Sequence, residues 1–324
     1  MFRVLNYINE VYKTKNFSKA AQNLFISQPS LSLTIKKFEN DIGITIFDRS
    51  TNPIQLTEAG KVYMDGILRI LAIENDLRSY VDDYNQLKVG KLTIGAPHFF
   101  SSFLLPDFIA QFHNKFPYIE IKLVETDLLS LKKMIMSGEI DLIIESDEFD
   151  ESLYNGYRLF VEHVLIAVPI TDPVNDSLKN YSMTRDDIIN NKHLDESWPS
   201  IQMQDLCNHK FLLMEKGHDM HYRATKFFQN SGFEPNKFMS LNQMMTSYIM
   251  TNQQLGVSFV SDTIVKLTGH CHNILYYKID EQLSIRHIHL AYKRNRYVSK
   301  SMQEFIKMVL NNNHEKLNKV SADY

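Results

Sequence analysis

The chain is poor in glycine, with 11 among its 324 residues. No Walker-type loop, dinucleotide glycine pattern or nucleophile elbow occurs in it. That scarcity leaves little room for the backbone cradles of phosphate-handling enzymes. Cysteine is scarcer still: Cys207 and Cys271 stand alone, which excludes a disulfide framework and fits a reducing cytoplasm. Metal-type clusters are equally thin. His270-Cys271-His272 alternates faces if it is a strand, and no further ligand sits at a suitable spacing. His287 and His289 share one strand face, again with no third ligand that sequence identifies, and His218-Asp219-Met220-His221 is similarly unsupported. No metal, no cofactor and no catalytic set are expected. The formal net charge is −3, so bulk basicity offers no handle for nucleic acid, and any such role must rest on a local surface. Long apolar runs are missing too. Nothing approaches the span of about 20 apolar residues that a bilayer requires. Met1–Tyr12 is broken by Arg3, Asn6, Asn9 and Glu10, so no targeting segment, no membrane association and a cytoplasmic site of action are expected.

What is present is an ordinary globular composition, 44% hydrophobic and 23% charged, in a chain long enough for two or three compact units. Its texture changes once. Up to about Leu87 the periodic signals are helical. From Lys91 onward, β-rich runs such as Lys91–Ala96, Ile119–Glu125 and Asp141–Glu145 alternate with helical stretches, the pattern of an α/β unit. The boundary falls at Lys88-Val89-Gly90, where Gly90 suits a helix end. Just before it, Tyr63, Gly66, Ile70, Ile73, Leu77, Tyr80, Tyr84 and Leu87 recur at alternating spacings of three and four. This heptad seam calls for a partner helix, either in its own domain or in a second subunit, and the dimerisation residues it nominates are Ile70, Ile73, Leu77, Tyr80 and Tyr84.

The first 60 residues read as three helices and a hairpin. Val4, Leu5, Ile8, Val11 and Tyr12 form one apolar helix face. Ser18 is positioned to cap a second helix, Lys19–Leu24, whose Ala20-Ala21 pair permits close helix approach. Phe25-Ile26 turns the chain, and Ser27 caps a third helix with Pro29 in its first turn and Gly43 at its end. Leu31, Ile35 and Phe38 bury one side. The opposite face carries Gln28, Ser30, Ser32, Leu33, Lys36 and Lys37, small, polar or cationic groups suited to base edges and phosphates. Phe47-Asp48-Arg49 and Ile54-Gln55-Leu56 form a short hairpin tipped by Ser50–Pro53. The region carries seven Lys/Arg against five Asp/Glu, too small an excess to weigh much.

The ordered run Phe17-Ser18-Lys19-Ala20-Ala21, Leu24, Ile26-Ser27-Gln28-Pro29-Ser30-Leu31-Ser32, Ile35-Lys36 and Glu39 closely resembles the signature of LysR-type transcriptional regulators. Gly43, Phe47, Arg49, Leu56-Thr57 and Gly60 continue it into that family's wing and linker. The resemblance implies a winged helix-turn-helix at 1–60 and a dimerising linker helix at 61–88. A bilobal effector domain similar to periplasmic binding proteins follows at 91–324, with lobe I formed by 91–166 plus 266–312 and lobe II by 167–265. It implies that Gln28, Pro29, Ser32 and Leu33 approach base edges of double-stranded DNA at an interrupted inverted repeat. Ser27, Ser30, Lys36 and Arg49 would contact phosphates, with Pro53 at the wing tip by the minor groove. Phe38 stands where the family usually has Leu, and Leu33-Thr34 where it often has a polar or basic residue. Dimers or tetramers would respond to a small molecule by altering DNA binding and bending, with RNA polymerase a further candidate partner.

In the effector region, Leu92–Ala96 would be the first strand, and Ser101-Ser102 would open the next helix. A helix N-terminus facing a cleft favours an anion, so a small carboxylate or amino acid is the expected effector. His98, Phe99, Ser101, Ser102, Asp127, Leu128, Met214 and Glu215 are its candidate contacts. The crossings between lobes are expected near Ala167-Val168-Pro169 and Thr263–Leu267. The polar stretch 172–205, with Trp198, is a lid, an extra helix or a surface excursion. The competing reading is a cytosolic small-molecule binding protein or enzyme with a vestigial helical extension, and it requires a catalytic constellation that these residues do not offer.

Overall fold

The computed structural model describes residues 2–84, 90–146, 150–269, 271–280 and 282–319. The first unit is built from α1 (Phe2–Thr14), α2 (Phe17–Asn23) and α3 (Gln28–Ile42), then the hairpin β1 (Phe47–Asp48) and β2 (Gln55–Leu56). Asn16, not Ser18, caps α2, its side chain accepting the Lys19 N–H at 3.0 Å. Both residues suit the role, but Asn16 has extended backbone and starts the helix one residue after itself. Ala20 and Ala21 are buried, and Phe25 takes the turn at φ 56°. Ser27 caps α3 and Gly43 ends it at φ 72°, satisfying the helix ends as the residue types require.

The long helix α4 (Glu58–Tyr84) begins under the hairpin. A Cβ on Gly60 would stand 2.1 Å from the Ile46 carbonyl oxygen, so only glycine lets this helix pass the wing base. Its first half completes the N-terminal core through Met64, Ile67 and Leu71, beside Leu5, Ile8, Leu31 and Ile35. This differs from the heptad reading: the stripe that packs on its own domain is Met64-Ile67-Leu71, next to the nominated seam. Ile70 leans on that core, while Ile73, Leu77 and Tyr80 remain about 60% exposed. The side chain of Tyr84, and all of Leu87 to Val89, lie outside the described residues.

The remainder is an α/β unit. Its first half runs β3 (Gly90–Ala96), α5 (His98–Phe103), α6 (Leu105–Lys115), β4 (Ile119–Glu125), α7 (Leu128–Met136) and β5 (Leu142–Glu145). The strand β6 (Tyr154–Pro169) leads to α8 (Val174–Ser177), α9 (Arg185–Ile189), β7 (Lys210–Met214), α10 (Asp219–Ser231) and β8 (Asn236–Leu241). Then come α11 (Met244–Asn252), β9 (Val257–Ser261), α12 (Asp262–Leu267), β10 (Ile274–Tyr277), β11 (Ile285–Lys293) and α13 (Lys300–Lys319). The sheet order is β4-β3-β5-β11-β6-β9-β7-β8, with β10 also on β6. Parallel pairing of β3 with β4 and β5, and of β7 with β8 and β9, marks two βα halves. The strand β6 belongs to both: Tyr154–His163 pair with β11, and Val164–Ala167 pair with β9. Separate apolar cores lie on either side, around Phe108, Phe112 and Phe305 in lobe I and around Phe211, Phe227 and Phe259 in lobe II.

The return crossing lies later than Thr263–Leu267. β10 pairs with Ile166–Pro169 of β6, and Ile279 is buried in the lobe II core, so the chain re-enters lobe I between Ile279 and Ile285. The strand Val257–Ser261 followed by a helix resembled a return because the partner of β10 is distant in sequence. The stretch 172–205 is neither lid nor excursion. Met183 bridges to Tyr276 and Ile201 to Ile279, and its own Leu178, Ile188 and Met203, with Leu206 just after it, are buried. Trp198 donates its indole N–H to the Tyr181 carbonyl and carries the Lys192 ammonium over its ring at 3.8 Å.

Candidate nucleic-acid interface and ligand cleft

The outer face of α3 is open. Gln28, Pro29, Ser30, Lys36 and Lys37 are exposed, and Leu33 is 71% exposed, a large apolar side chain standing free among polar ones. The inner face fixes this surface through Glu39, which sequence alone did not assign a role. Its carboxylate is 6% exposed and accepts the Ile46 N–H at 2.7 Å and the Phe47 N–H at 3.1 Å. Its other oxygen accepts Arg49 Nη2 at 3.0 Å. The remaining Arg49 Nη1 donates to Ser32 Oγ at 3.0 Å, and the guanidinium lies over the Phe17 ring. Wing, helix α2 and helix α3 are therefore tied at one point. The hydroxyl of Ser27 is spent on the Ser30 N–H of its own helix, and Pro53 stands exposed at the wing tip.

Contacts also run from this unit to the α/β unit. Asn75 donates to the Gly138 carbonyl at 3.0 Å, and a Cβ on Gly138 would meet Ala72 at 2.9 Å. Arg296, nearly buried, pairs with Asp141 at 2.7 Å and with Asp76 at 3.5 Å. Tyr80 meets the Tyr297 ring edge-on, and Lys13 reaches Glu139 at 2.5 Å.

Between the lobes lies a cleft of about 300 Å³. The candidate contacts His98, Phe99, Asp127, Leu128 and Met214 line it. Ser101, Ser102 and Glu215 do not. Ser101 is buried and donates its hydroxyl to the Ala96 carbonyl, and Ser102 is exposed outside the lining. Glu215 follows Met214 around the strand end, where its N–H bonds Leu241 and its side chain joins a separate hollow with Lys216 and Lys237. His98 Nδ1 lies 2.7 Å from Glu125, and Asp127 caps α7 by accepting the Ser130 N–H at 2.9 Å. Those hydrogen bonds hold the Asp127 carboxyl below the usual range against the opposing effect of burial. Phe99 packs against the cores of both lobes.

The floor holds charges that local patterning does not reveal. Glu162, Asp219 and Arg286 line the cleft with Ser261 and Ile264. Arg286 pairs with Glu162 at 3.3 Å and with Asp219 at 3.1 Å, and Arg223 grips Asp219 with its Nε at 2.8 and 2.9 Å. Burial pushes the Glu162 carboxyl up, with Arg286 opposing. Beside it, Asp262 accepts the His163 N–H at 2.9 Å, His193 Nε2 at 3.0 Å and Lys266 Nζ at 3.0 Å. Among the described residues, His163, His193 and Asp262 are the one group of three donors close enough to share a metal ion. The Lys266 ammonium already meets the charge on Asp262, so the arrangement reads as an ion-pair cluster. His287 and His289 lie with ring centroids 6.4 Å apart and belong to no such group, and His270 lies outside the described residues. No helix among the described residues is long and apolar enough to cross a membrane.

Comparison with known proteins agrees with this division. Residues 2–61 match the bacterial regulatory helix-turn-helix model of the lysR family, and residues 85–180 and 188–313 match the LysR substrate binding domain. The chain is 28% identical over 309 residues to YcgK of Bacillus subtilis, described as an uncharacterized HTH-type transcriptional regulator, covering 94% of this chain and 93% of that one. It is 25% identical to a probable RuBisCO transcriptional regulator of Gracilaria tenuistipitata, over 94% of each chain. Among solved structures, full-length OxyR of Pseudomonas aeruginosa superposes with a TM-score of 0.65 at 21% identity, over 97% of this chain and 94% of that one. CbnR in complex with its target DNA gives 0.58 at 16%, over 97% and 99%. These likenesses speak to the fold, and the family models to the chain as a whole. The chain belongs to the LysR family of transcriptional regulators, with a DNA-binding helix-turn-helix and an effector-binding domain.

Proposed function

We propose that this protein reads an interrupted inverted repeat in double-stranded DNA as a homodimer or homotetramer, and that a small molecule in the cleft changes how it binds and bends that DNA. The observation that carries the reading is the exposed face of α3, held rigid by Glu39 and Arg49. Gln28, Pro29, Ser32 and Leu33 face base edges, with Leu33 suited to a thymine methyl. Lys36 and the exposed edges of Ser27, Ser30 and Arg49 serve phosphates, and Pro53 meets the minor groove. The role is regulatory rather than catalytic and is exercised in the cytoplasm, with RNA polymerase a candidate partner. Specific fragments selected from a random DNA pool give the test. Gln28→Ala and Leu33→Ala should each lower specific affinity about tenfold in gel shift, the cost of roughly one lost base contact. Unchanged specific affinity in both would overturn this reading.

The exposed apolar positions Ile73 and Leu77, with Tyr80 still largely exposed beside Tyr297, support pairing of two α4 helices. The unit boundaries we adopt are 1–60, 61–88 and 91–324, with lobe II closing after Ile279.

A further inference from the structure

We propose that the cleft takes a small apolar amine, an organic cation, and not a carboxylate; this rests on the reading of the cleft as the effector site. The argument begins with what an anion would find there. Arg286 is the one Lys or Arg among the described lining residues, and its guanidinium is held between Glu162 and Asp219, each at most 7% exposed. Drawing Arg286 onto a ligand carboxylate would strand a buried carboxylate without its partner, a penalty the new ion pair does not recover. Arg223 stands behind Asp219 and is committed to it and to the carbonyls of Leu283 and Ile285.

The helix starts at the cleft offer an anion little either. The α7 N-terminus is already occupied by the Asp127 carboxylate, which takes the Ser130 N–H and hydroxyl. The α5 helix is six residues long, begins after Pro97, and has turned its Ser101 hydroxyl to Ala96.

A cation finds the opposite. Of the lining carboxylates, Glu162 and Asp219 are held by Arg286 and Arg223, so Asp127 is the one that no arginine holds, and apolar walls concentrate its potential. Asp127 differs from the other two. It is exposed, and its bonds are to neutral donors, Ser130 and Thr126, so the partial charge of the α7 N-terminus, and none of the described ion pairs, offsets it at the cleft. His98, the neighbouring titratable group, is matched by Glu125. The rest of the wall is apolar and deformable: Phe99, Met214, Met220, Met244, Met245 and Ile264. Thioethers adapt to an apolar or aromatic body, and the Phe99 face adds attraction for a cation. A ligand with an ammonium on Asp127 and its apolar part among the methionines would touch Met214 and Met244 of lobe II and Phe99 of lobe I together. That bridging would favour the closed cleft.

Three probes of one shape separate the possibilities on the full-length protein: 2-phenylethylamine, 2-phenylethanol and phenylacetate, followed by calorimetric titration. The expected order is amine, then alcohol, then carboxylate, with at least a tenfold gap between the first and last. Asp127→Asn keeps the α7 cap and should bring the amine down to the affinity of the alcohol. Phenylacetate binding as tightly as the amine overturns the proposal. So does equal binding of amine and alcohol in the unaltered protein, or the absence of measurable amine binding at millimolar concentration. Selection of specific DNA by the same preparation reports separately on the regulator reading, since it needs no ligand.

Discussion

Glu39 ties the wing to α3 in the N-terminal unit. One buried carboxylate satisfies two wing amides and the Arg49 guanidinium, so its loss orphans three donors at once. Glu39→Ala should lower the stability of this unit by about 2–3 kcal/mol, seen as an earlier first transition in scanning calorimetry of the full chain. Specific DNA binding should fall with it. The cluster around Asp262 makes a second residue-scale prediction. Burial holds the His193 imidazole below its usual pKa despite Asp262, and hydrogen bonds from His163 and His193 with the Lys266 charge hold Asp262 low despite its burial. In each case the unfolded chain binds a proton more readily than the folded one. Stability should thus drop as pH falls through about 6.5, where an unfolded histidine takes up its proton. Further loss follows once unfolded carboxylates protonate near 4. Urea melts of the unaltered protein and of His193→Gln at pH 7.5 and 5.5 check this: the variant should lose less between the two.

At the scale of elements, the caps and breaks set by neighbouring residues were legible in the sequence. Ser27, Pro29 and Gly43 bound α3 because their backbone preferences act locally. The choice between Asn16 and Ser18 was not, since two good caps lie two residues apart and packing of α2 decides. Elements fixed by distant partners were hidden as well. β10 pairs with the end of β6, and Arg286 on β11 meets Glu162 on β6 and Asp219 on α10; no spacing in the chain announces such pairs. Ser101 and Glu215 sit next to lining residues in sequence but outside the lining itself, because one helix step or one strand-end step changes a side chain's direction. The α4 seam mixed two stripes that lie side by side on one helix. Ile73→Asp with Leu77→Asp alters only exposed positions, so it should convert dimers to monomers in analytical ultracentrifugation while the helical circular dichroism signal persists.

At the scale of the molecule, the two functional units are joined by more than a tether. The second half of α4 is fastened to lobe I by Asn75, Asp76, Ala72 and Tyr80, while its first half is core to the DNA-binding unit. Asn75→Ala with Asp76→Ala should therefore speed amide hydrogen exchange over residues 72–80 several-fold. Exchange in β3 and β5 should stay as it was, because Arg296 keeps Asp141.

The length of α4 gives this fastening a mechanical meaning. Its 27 residues make a rod about 40 Å long, at roughly 1.5 Å per residue. Lobe I grips it from Ala72 to Tyr80, so a tilt of roughly 10° imposed there would carry the Glu58 end, about 20 Å away, by about 3.5 Å, near the rise of a single base-pair step in B-form DNA. On the proposed regulatory reading, the helix would serve as a lever: a small rotation at lobe I would displace the DNA-binding unit by about one step of the double helix.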